Sequence, residues 1–229
     1  MISIVIPALR EENYIADTVR QFEALTLPHE VIVADGKSDD RTVEEARAVG
    51  AKVVISEGLR SPSRQRNQGA RIASGDILLF IDSSVRIPDI NVFLRKATAH
   101  LENGAVGLAL PQRIYPEIET LTDKIILIIT NFNLSLQKIG SGKFIMAKRE
   151  AFERIGGFRE DLIAGEDHDI FRRLAKIGRV DFDRSLTVFY SGRREHALGW
   201  PRVLWTWTVD GLWHTFFHRS RSKEWTAVR

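Results

Sequence analysis

A short apolar run is the feature that most constrains the fold of this chain. Residues 77–81 are all apolar, and the polar tip Asp82-Ser83-Ser84 follows them directly. A run of this length is too short to cross a membrane and is typical of a strand buried on both faces of a parallel sheet. Ligands bind beyond the carboxyl ends of such strands. Asp82 is therefore a candidate site residue, and capping of the following turn is the alternative, since aspartate favours turns.

The composition indicates a globular α/β protein and argues against several other classes. The chain has 229 residues, of which 44% are hydrophobic and 28% charged, and it can bury a large core. A net charge of +3 is too small to indicate nucleic-acid binding. Cysteine is absent, which excludes disulfides and thiolate metal sites. With no recognisable leader peptide or spanning run, we expect a cytoplasmic protein, or one peripheral to the inner membrane face.

Strands and helices alternate along the first half of the chain. Apolar runs at 2–6, 30–34 and 52–55 predict three strands before the one at 77–81, with a helix after each. Such alternation produces right-handed βαβ units and a Rossmann-like, mostly parallel central sheet flanked by helices. Pro7 is expected to stop the first strand. The strand ends place Asp35 and Asp82 along one edge of the sheet, so we expect them to face one crevice.

The second half of the chain is less regular. Helices are predicted at 88–102, 120–137, 149–155 and 165–177, and strands at 105–110, 144–146 and 186–190. The helix at 120–137 is strongly apolar but carries Asp123, Lys124 and two asparagines. We therefore expect it to pack in the protein or at an interface rather than to cross a membrane. Gly140-Ser141-Gly142 is interpreted as a flexible hinge.

Two groups of arginines are candidates for contacts with phosphate. Arg66 lies on the helix that precedes the strand at 77–81, and it is the best candidate there for a phosphate or sugar contact. A solvated helix face is the alternative. Arg193 and Arg194 follow Gly192 after the strand at 186–190. Arginines after such a turn can close over a diphosphate through bidentate hydrogen bonds, and a surface basic pair is the alternative.

Acidic residues cluster at the predicted start of the helix at 165–177. Glu166, Asp167 and Asp169 fall within its first turn, where the helix dipole stabilises negative charge. A carboxylate in this position is suited to act as a general base. Asp169 is also spaced to pair with an arginine on the next turn, which is a structural role. His168 is either a site residue or an oriented structural histidine.

The C-terminal segment is rich in tryptophan and then in basic residues. Its aromatic and basic positions are Trp200, Trp205, Trp207, Trp213, Phe216, Phe217, His218, Arg219, Arg221, Lys223 and Arg229. Aromatic and cationic side chains together are typical of an amphipathic helix in a membrane interface. The alternative is a helix packed on the domain, or on a second subunit in a homodimer.

Taken together, these motifs resemble glycosyltransferase family 2, whose members have the GT-A fold. The resemblance covers most of the chain, from residue 2 to about residue 194. The order and spacing of the motifs carry it more than any one of them. The motifs are Ser3-Ile4-Val5-Ile6-Pro7-Ala8-Leu9-Arg10-Glu11-Glu12, Val31-Ile32-Val33-Ala34-Asp35-Gly36, Asn67-Gln68-Gly69-Ala70, Gly75-Asp76 to Asp82, Gly156-Gly157-Phe158, Gly165-Glu166-Asp167-His168-Asp169 and Ser191-Gly192-Arg193-Arg194.

The resemblance implies an inverting transfer of a hexose from a nucleoside-diphosphate sugar. The implied nucleotide and diphosphate residues are Pro7, Leu9, Glu11, Val33, Asp35, Arg66, Asp82, Ser83, Arg193 and Arg194. Asp82 and Ser84 would hold a divalent cation, Mn²⁺ or Mg²⁺. Asp167 would deprotonate an acceptor hydroxyl, with Glu166 and His168 on the acceptor side. The acceptor would be a carbohydrate or a lipid-linked molecule.

The resemblance also implies a domain organisation. It predicts a GT-A domain at 1–195, with a nucleotide-binding half at 1–110 and an acceptor-binding half at 111–195. The tryptophan-rich amphipathic segment would then occupy residues 196–229.

The chain departs from the family pattern in three places. Leu9 and Arg10 stand where an aromatic residue and an asparagine are usual, and Gly36 where a second acid is common. The third departure is Ser84, since a serine hydroxyl is a poor substitute for a carboxylate ligand. Metal affinity would then be weak, or another residue such as His168 or His196 would complete the shell.

Other functions remain as alternatives to the family activity. Ser84 and the tryptophan-rich end leave open a non-catalytic nucleotide-sugar-binding or scaffolding protein at a membrane surface. A nucleotidyltransferase is a weaker alternative, because residues 7–13 contain no glycine. A dinucleotide oxidoreductase is excluded by the same lack of a glycine-rich turn.

Overall fold

A computed structural model describes residues 1–58 and 60–217 of the chain, and side chains through residue 209. The strands are β1 Ile2–Ala8, β2 His29–Asp35, β3 Lys52–Ile55, β4 Ile77–Ile81, β5 Val85–Arg86, β6 Gly107–Ala109, β7 Gln112–Ile114, β8 Phe144–Lys148, β9 Val180–Phe182 and β10 Val188–Tyr190. The helices are α1 Ile15–Arg20, α2 Thr42–Ala48, α3 Pro62–Ile72, α4 Ile90–Glu102, α5 Leu121–Gln137, α6 Arg149–Arg154, α7 Glu166–Ala175, α8 Arg193–Leu198 and α9 Trp200–Phe217.

Seven strands form the central sheet, in the order β3-β2-β1-β4-β8-β6-β9. Only β8 runs antiparallel to its neighbours, and the other pairings are parallel. β1 and β4 lie in the middle and are almost wholly buried, because helices cover both faces. The predicted α/β fold with a mostly parallel sheet is confirmed.

The first strand continues through Pro7 to Ala8, so the expectation that Pro7 stops it was wrong. Pairing with β4 ends at Val5, whereas pairing with β2 continues to Ala8. Pro7 therefore lies where β1 has a hydrogen-bonded neighbour on one side only. A residue without an N–H group is tolerated at such a position.

A second sheet of three short strands, in the order β5-β10-β7, was not foreseen from the sequence. β10 falls within the strand predicted at 186–190, whereas β5 and β7 have two and three residues and show no alternation long enough to detect. Tertiary pairing forms them, because β10 pairs with both β5 and β7. β9 was missed for the same reason. The small sheet packs beside the carboxyl end of β4 and frames one side of the candidate site.

The C-terminal region begins within the packed domain. Trp200 and Val203 are buried in the same apolar cluster as Leu127 of α5. Asp123 accepts hydrogen bonds from Trp200 Nε1 at 2.6 Å and from His196 Nε2 at 3.0 Å. These contacts fix the first two turns of α9 against the start of α5. The basic tail at 218–229 and the side chains of Trp213, Phe216 and Phe217 lie outside the described residues.

No helix within the described part of the chain combines the length and apolar character needed to cross a membrane.

Candidate functional site

The carboxyl end of β4 carries a partly buried cluster of opposite charges, here called the Asp82 centre: Arg66, Asp82, Lys143 and Glu166. Arg66 donates to Asp82 Oδ1 at 3.0 Å and to Glu166 Oε1 at 2.8 Å. Lys143 Nζ donates to Asp82 Oδ2 at 2.9 Å. Each oxygen of Asp82 thus faces its own cation. The centre joins three parts of the fold, since α3, the end of β4 and the start of α7 each supply a residue, with Lys143 just before β8.

The local sequence explains why Arg66 lies at this centre. Ser61 caps α3 by accepting the N–H of Arg64, and Pro62 occupies the first helical turn. Gly69 lets α3 approach the sheet, because a Cβ there would lie 2.3 Å from Val5 Cγ1. Arg66 is consequently only 2% exposed. It does not lie on a solvated helix face, and its two Nη groups donate to carboxylates and to the Gly142 carbonyl.

Charge pairing decides the ionisation of this cluster. Burial alone would raise the pKa of Asp82, but Lys143 and Arg66 together outweigh it and the pKa is lowered. Burial would likewise lower the pKa of Arg66, yet Asp82 and Glu166 raise it overall. The two cations therefore favour the carboxylate form of Asp82.

Asp167, the residue expected to act as the base, lies next to this centre. Its Oδ2 accepts the backbone N–H of Gly142 at 2.9 Å, and its Oδ1 accepts the N–H of His168 at 2.8 Å. Gly165 caps α7 with a positive φ of 79°, which turns the chain sharply into the helix. The position in the first turn of α7 favours negative charge on Asp167. His168 is half-buried and contributes its backbone N–H to this arrangement.

Glu166 differs from Asp167 in its environment. It is buried, and burial together with the neighbouring charge of Asp167 raises the pKa of Glu166 to about 7, although Arg66 opposes the shift. Adjacent acids whose environments differ in this way often divide acid and base roles. Asp169, the third acid, pairs with Arg173 at 2.7 Å one turn later, so its role is structural.

Gly142 connects the Asp82 centre to Asp167. Its N–H donates to Asp167, and its carbonyl accepts from Arg66 at 3.3 Å. A Cβ at this position would lie 2.6 Å from Arg66 Nη2. The segment interpreted as a flexible hinge is thus a close-packed contact between the two groups, and a larger residue there would displace the Arg66 guanidinium.

Asp35 lies at the same edge of the sheet, at the end of β2, two strands from Asp82. Its partners are uncharged: Oδ2 accepts the N–H of Ser38 at 2.8 Å, and Oδ1 accepts the Ser38 hydroxyl. Gln65 of α3 donates to the Ala8 carbonyl at 2.8 Å and lies against Gly36. The crevice floor between the two acids is therefore formed by the end of β1 and by α3.

Glu11 is the most unusual of the predicted nucleotide residues. It is buried, and its Oε1 accepts a hydrogen bond from Arg193, whose guanidinium lies 4.8 Å from the ring centroid of Tyr14. Among the described residues Glu11 Oε2 has no hydrogen-bond partner. A buried acceptor without a partner costs free energy unless a ligand or water donates to it. Arg194 lies half-buried beside Arg193 on α8.

Three other predicted nucleotide residues lie deeper in the fold. Pro7, Leu9 and Val33 are all buried, and Val33 belongs to the main apolar cluster. They shape the floor under the crevice.

The loop after β4 is held through its backbone. Thr18 donates to the Ser83 carbonyl and Tyr115 to the Ser84 carbonyl, each at 2.6 Å. The Ser84 hydroxyl accepts from Ser191 at 3.2 Å, within a buried pair. Ser83 and Ser84 are both buried, so the loop is fixed in place.

These residues do not fit the expected divalent cation. Both oxygens of Asp82 are paired to cations, and the Ser84 hydroxyl is used by Ser191. His196, considered as a further ligand, pairs instead with Asp123 at the start of α5. Across residues 1–58 and 60–209, no group of three acidic, histidine or cysteine side chains is placed to hold a metal ion. A Mn²⁺ or Mg²⁺ site needs several such oxygen ligands.

Lys143 is the site residue that sequence reasoning missed. It directly follows Gly140-Ser141-Gly142, which was interpreted as a hinge only. A lysine beside a glycine-rich turn next to a predicted strand was the available signal. Its contact with Asp82 depends on the antiparallel pairing of β8 with β4, which the sequence does not reveal.

Comparisons with known proteins identify the family and the fold. The model of the family described as Glycosyl transferase family 2 matches residues 3–156. An uncharacterized glycosyltransferase of Haemophilus influenzae is 28% identical over 191 residues, which cover 76% of this chain and 62% of that protein. The chain thus spans less than two thirds of this relative.

Solved structures share the fold. A mannosyltransferase from Pyrobaculum calidifontis in complex with GDP-Man and Mn²⁺ has a TM-score of 0.71 at 20% identity, covering 87% of this chain and 59% of that chain. Glucosyl-3-phosphoglycerate synthase from Mycobacterium tuberculosis, in complex with Mn²⁺, UDP and glucosyl-3-phosphoglycerate, has a TM-score of 0.60 at 24% identity. It covers 87% of this chain and 75% of that chain. At these identities the likeness establishes the fold, which is GT-A-like.

Proposed function

This chain belongs to glycosyltransferase family 2, and we propose that it transfers a hexose from a nucleoside-diphosphate sugar to an acceptor hydroxyl with inversion. The position of Asp167 is the observation that carries the proposal. Its two oxygens accept backbone N–H groups at the start of α7, and Gly142 links it to the cations of the Asp82 centre. The candidate base is thus adjacent to a cluster that contains two side-chain cations, Arg66 and Lys143.

In the proposed reaction, Asp167 takes the proton of the acceptor hydroxyl while the acceptor oxygen attacks the anomeric carbon. The bond between that carbon and the diphosphate oxygen breaks on the opposite face of the sugar. The nucleoside diphosphate leaves with the electron pair of that bond. One displacement without a covalent intermediate inverts the configuration, and proton transfer to a positioned carboxylate contributes about 10²- to 10⁴-fold to the rate.

The departing charge is stabilised by cations of the chain itself. Lys143 is partly exposed and reaches Asp82 at 2.9 Å, with its ammonium 4.9 Å from the ring centroid of Tyr190. It can turn from Asp82 to a diphosphate without unfolding the centre, because Arg66 stays with Asp82. Arg193 approaches from the nucleotide side beside Glu11. Preorganised cations of this kind stabilise charge that develops in the transition state.

We further propose that donor binding does not depend on a divalent cation. The two solved relatives described above were obtained with Mn²⁺, but the Asp82 centre of this chain already contains two side-chain cations. The test is calorimetric titration of nucleoside diphosphates in EDTA and in Mn²⁺. Equal affinity supports the proposal. Loss of binding in EDTA that Mn²⁺ restores would overturn it.

Donor and acceptor are proposed by class. The relatives use GDP-mannose and UDP-linked glucose, so the donor is a nucleoside-diphosphate hexose and a nucleotide screen must identify its base. Asp35 and the unpartnered oxygen of Glu11 are proposed to accept hydrogen bonds from the nucleoside. Glu166 and His168 are proposed to face a carbohydrate or lipid-linked acceptor. The division into halves at 1–110 and 111–195 and a segment at 196–229 belongs to the same proposal.

The experiment compares Asp167→Asn with the wild type. A thermal-shift screen first identifies the nucleoside diphosphate that raises the Tm, and hydrolysis of the matching nucleotide sugar then serves as the activity assay. Asp167→Asn should lower turnover by about 10²- to 10⁴-fold and leave nucleotide binding unchanged. Asp17→Asn, which changes an exposed acid on α1, is the matched control. A folded Asp167→Asn variant with normal turnover would exclude Asp167 as the base.

A non-catalytic nucleotide-sugar-binding protein is the second candidate, because Ser84 stands where the family has a second carboxylate. It predicts a Tm increase with nucleotide sugar but no release of nucleoside diphosphate. Measurable turnover, even hydrolysis without an acceptor, would exclude it.

A further inference from the structure

Helix α5 displays a continuous apolar stripe to solvent, here called the α5 face: Leu121, Ile125, Ile128, Ile129, Phe132 and Leu136. These side chains are between 52% and 73% exposed. Their spacing repeats with the helical period, so they share one side of the helix. Single exposed apolar residues are common, but contiguous patches mark interaction surfaces.

The exposure is a property of a firmly placed helix. The opposite side of α5 buries Leu127 and Leu134. The Asn131 side chain donates to the Gln112 carbonyl at 2.9 Å and accepts the Gln112 N–H at 3.1 Å. A capping box between Thr120 and Asp123 fixes the first turn. The α5 face therefore points to solvent because the opposite side of the helix is fixed against the domain.

Helix α9 adds exposed aromatic surface next to α5. Asp123 ties the start of α5 to Trp200 of α9. Further along α9, Trp205 is 70% exposed, and Leu204 and Trp207 are also exposed. Tryptophan is enriched at membrane–water interfaces, because its ring is apolar and its N–H is polar.

The charges around the α5 face have one sign. Lys124 and Lys138 are exposed on α5 and at its end, and Arg202 is exposed on α9. Arg184 lies 5.7 Å from the Phe132 ring centroid and donates to Ser135 at 2.7 Å. The acid within α5, Asp123, is 1% exposed. The acids that precede the helix are paired, Glu117 with Arg86 and Glu119 with Arg113.

From this pattern we propose that the α5 face, with the exposed tryptophans of α9, docks on an anionic phospholipid surface. The apolar stripe enters the boundary between headgroups and acyl chains, and the bordering lysines and arginines contact lipid phosphates. The sequence after residue 217 contains Arg219, Arg221, Lys223 and Arg229 against one acid, Glu224, so it is net basic. Long basic side chains extend to the headgroups while their stems remain in apolar contact.

Charge favours a lipid surface over a second copy of the chain. Two α5 faces packed together would bring the bordering cations of both copies close to one another. Like charges across an interface are unfavourable, whereas anionic lipid neutralises them. A dimer through this face is therefore an outcome of the test that would contradict the proposal.

Helix α5 is connected to the candidate base by hydrogen bonds from its packed side. Asn131 binds the Gln112 backbone, and the Gln112 side chain accepts from Ser141. Ser141 precedes Gly142, whose N–H donates to Asp167. If the proposed transfer is correct, docking places the acceptor side next to the membrane, which suits an amphiphilic acceptor. The docking itself does not depend on the transfer chemistry.

Vesicle flotation tests the docking. The wild type should float with vesicles of phosphatidylcholine and phosphatidylglycerol, float poorly with phosphatidylcholine alone, and bind less at high salt. The double variant Ile128→Glu/Phe132→Glu should lose at least about tenfold in vesicle affinity, since it removes two large apolar contacts. Val92→Glu, at a similarly exposed apolar position on α4, is the matched control and should bind as the wild type does.

Three results would overturn the proposal. The wild type remains soluble with anionic vesicles, or both variants bind equally, or light scattering shows a dimer that the α5 variant dissociates while vesicles bind none of the proteins. Nucleotide-sugar hydrolysis measured without vesicles tests the proposed function independently of membrane docking. The α5 variant should keep wild-type hydrolysis, so lost flotation with intact hydrolysis concerns docking only.

Discussion

The two acids at the edge of the sheet are held in opposite ways. Asp35, at the end of β2, accepts from the hydroxyl and N–H of Ser38. Asp82, beyond the end of β4, faces Arg66 and Lys143. Both acids follow an apolar strand in the sequence, so the sequence pattern does not distinguish them. Their hydrogen-bond partners distinguish them, because Asp35 has neutral donors and Asp82 has two cations.

Under the proposed function, this difference gives the two acids different tasks. A carboxylate with neutral partners keeps its charge available to accept hydrogen bonds from sugar or base hydroxyl groups. A carboxylate between two cations cannot take a metal ion without displacing one of them. Its value lies in fixing those cations beside the Asp167 carboxylate. The Asp35 end is thus suited to recognition and the Asp82 end to charge stabilisation.

The largest effect is expected from Arg66→Met, which removes the cation that the Asp82 centre is built on. The buried Glu166 would lose its cationic partner, while Asp82 would keep Lys143 on its other oxygen, and breaking a buried pair such as Arg66–Glu166 costs about 3–5 kcal/mol of unfolding free energy. Arg71→Met, on the exposed side of the same helix, should cost no more than about 1 kcal/mol. Urea unfolding measures the free energy of unfolding of both variants. Equal losses would show that the buried ion pairs of Arg66 add no more stability than the exposed pair of Arg71.

Lys143→Met tests the second cation. Arg66 stays with Asp82, so the loss of stability should be small, whereas nucleoside-diphosphate affinity should fall about 10- to 100-fold because a charged contact of about 1.5–3 kcal/mol is lost. Lys148→Met, at the other end of β8, is the control. Calorimetric titration gives the affinities. An unchanged affinity in Lys143→Met would show that the diphosphate does not use this ammonium.

The pH dependence of stability should carry the signature of Glu166. Its pKa is raised from 4.5 to about 7 in the folded protein, mainly by burial and then by Asp167. The folded state therefore binds a proton that the unfolded state has released, and this stabilisation is complete below pH 4.5 and lost as the pH rises through about 7.

Thermal unfolding of the wild type and Glu166→Gln from pH 5 to pH 8 measures this contribution. The difference in Tm between them should change in favour of Glu166→Gln as the pH rises. The pKa of His100 is also raised, since hydrogen bonds to Asp181 and Asp183 outweigh its burial, and its slope has the same sign. That slope is common to both proteins and cancels in the comparison. Parallel curves would contradict the raised pKa of Glu166.

The smallest effect is expected at the Asp35 end, from Ser38→Ala. The change removes the hydroxyl that donates to Asp35 and that accepts the Arg10 N–H at 2.9 Å. Neutral hydrogen bonds contribute about 1 kcal/mol each, so stability should fall by about 1–2 kcal/mol. Ser185→Ala, at an exposed turn, should change it by less than about 0.5 kcal/mol. If Ser38→Ala lost as much unfolding free energy as Arg66→Met, the Asp35 and Asp82 ends would not differ in how strongly their partners stabilise the fold.

The sequence predicted the parts of the site that depend on strand ends and helix starts. Asp35 and Asp82 follow apolar strands, and Asp167 follows a glycine that begins a helix, so local pattern located each of them. Lys143 and Gly142 were not predicted as site residues, because their role depends on β8 pairing antiparallel with β4. Arg66 was a candidate, but its partners, one of them 100 residues away, were beyond local pattern.

By itself, the sequence determined the α/β class, the crevice edge and the family, because strand and helix periodicity and motif order are local properties of the chain. Tertiary structure alone decided the state of Asp82. The opening apolar run places its carboxylate at the crevice, but only the packing of α3 and the loop before β8 brings two cations to it. It also decided that the apolar α5 remains open on one side, since burial depends on which neighbours reach a helix and not on its own composition.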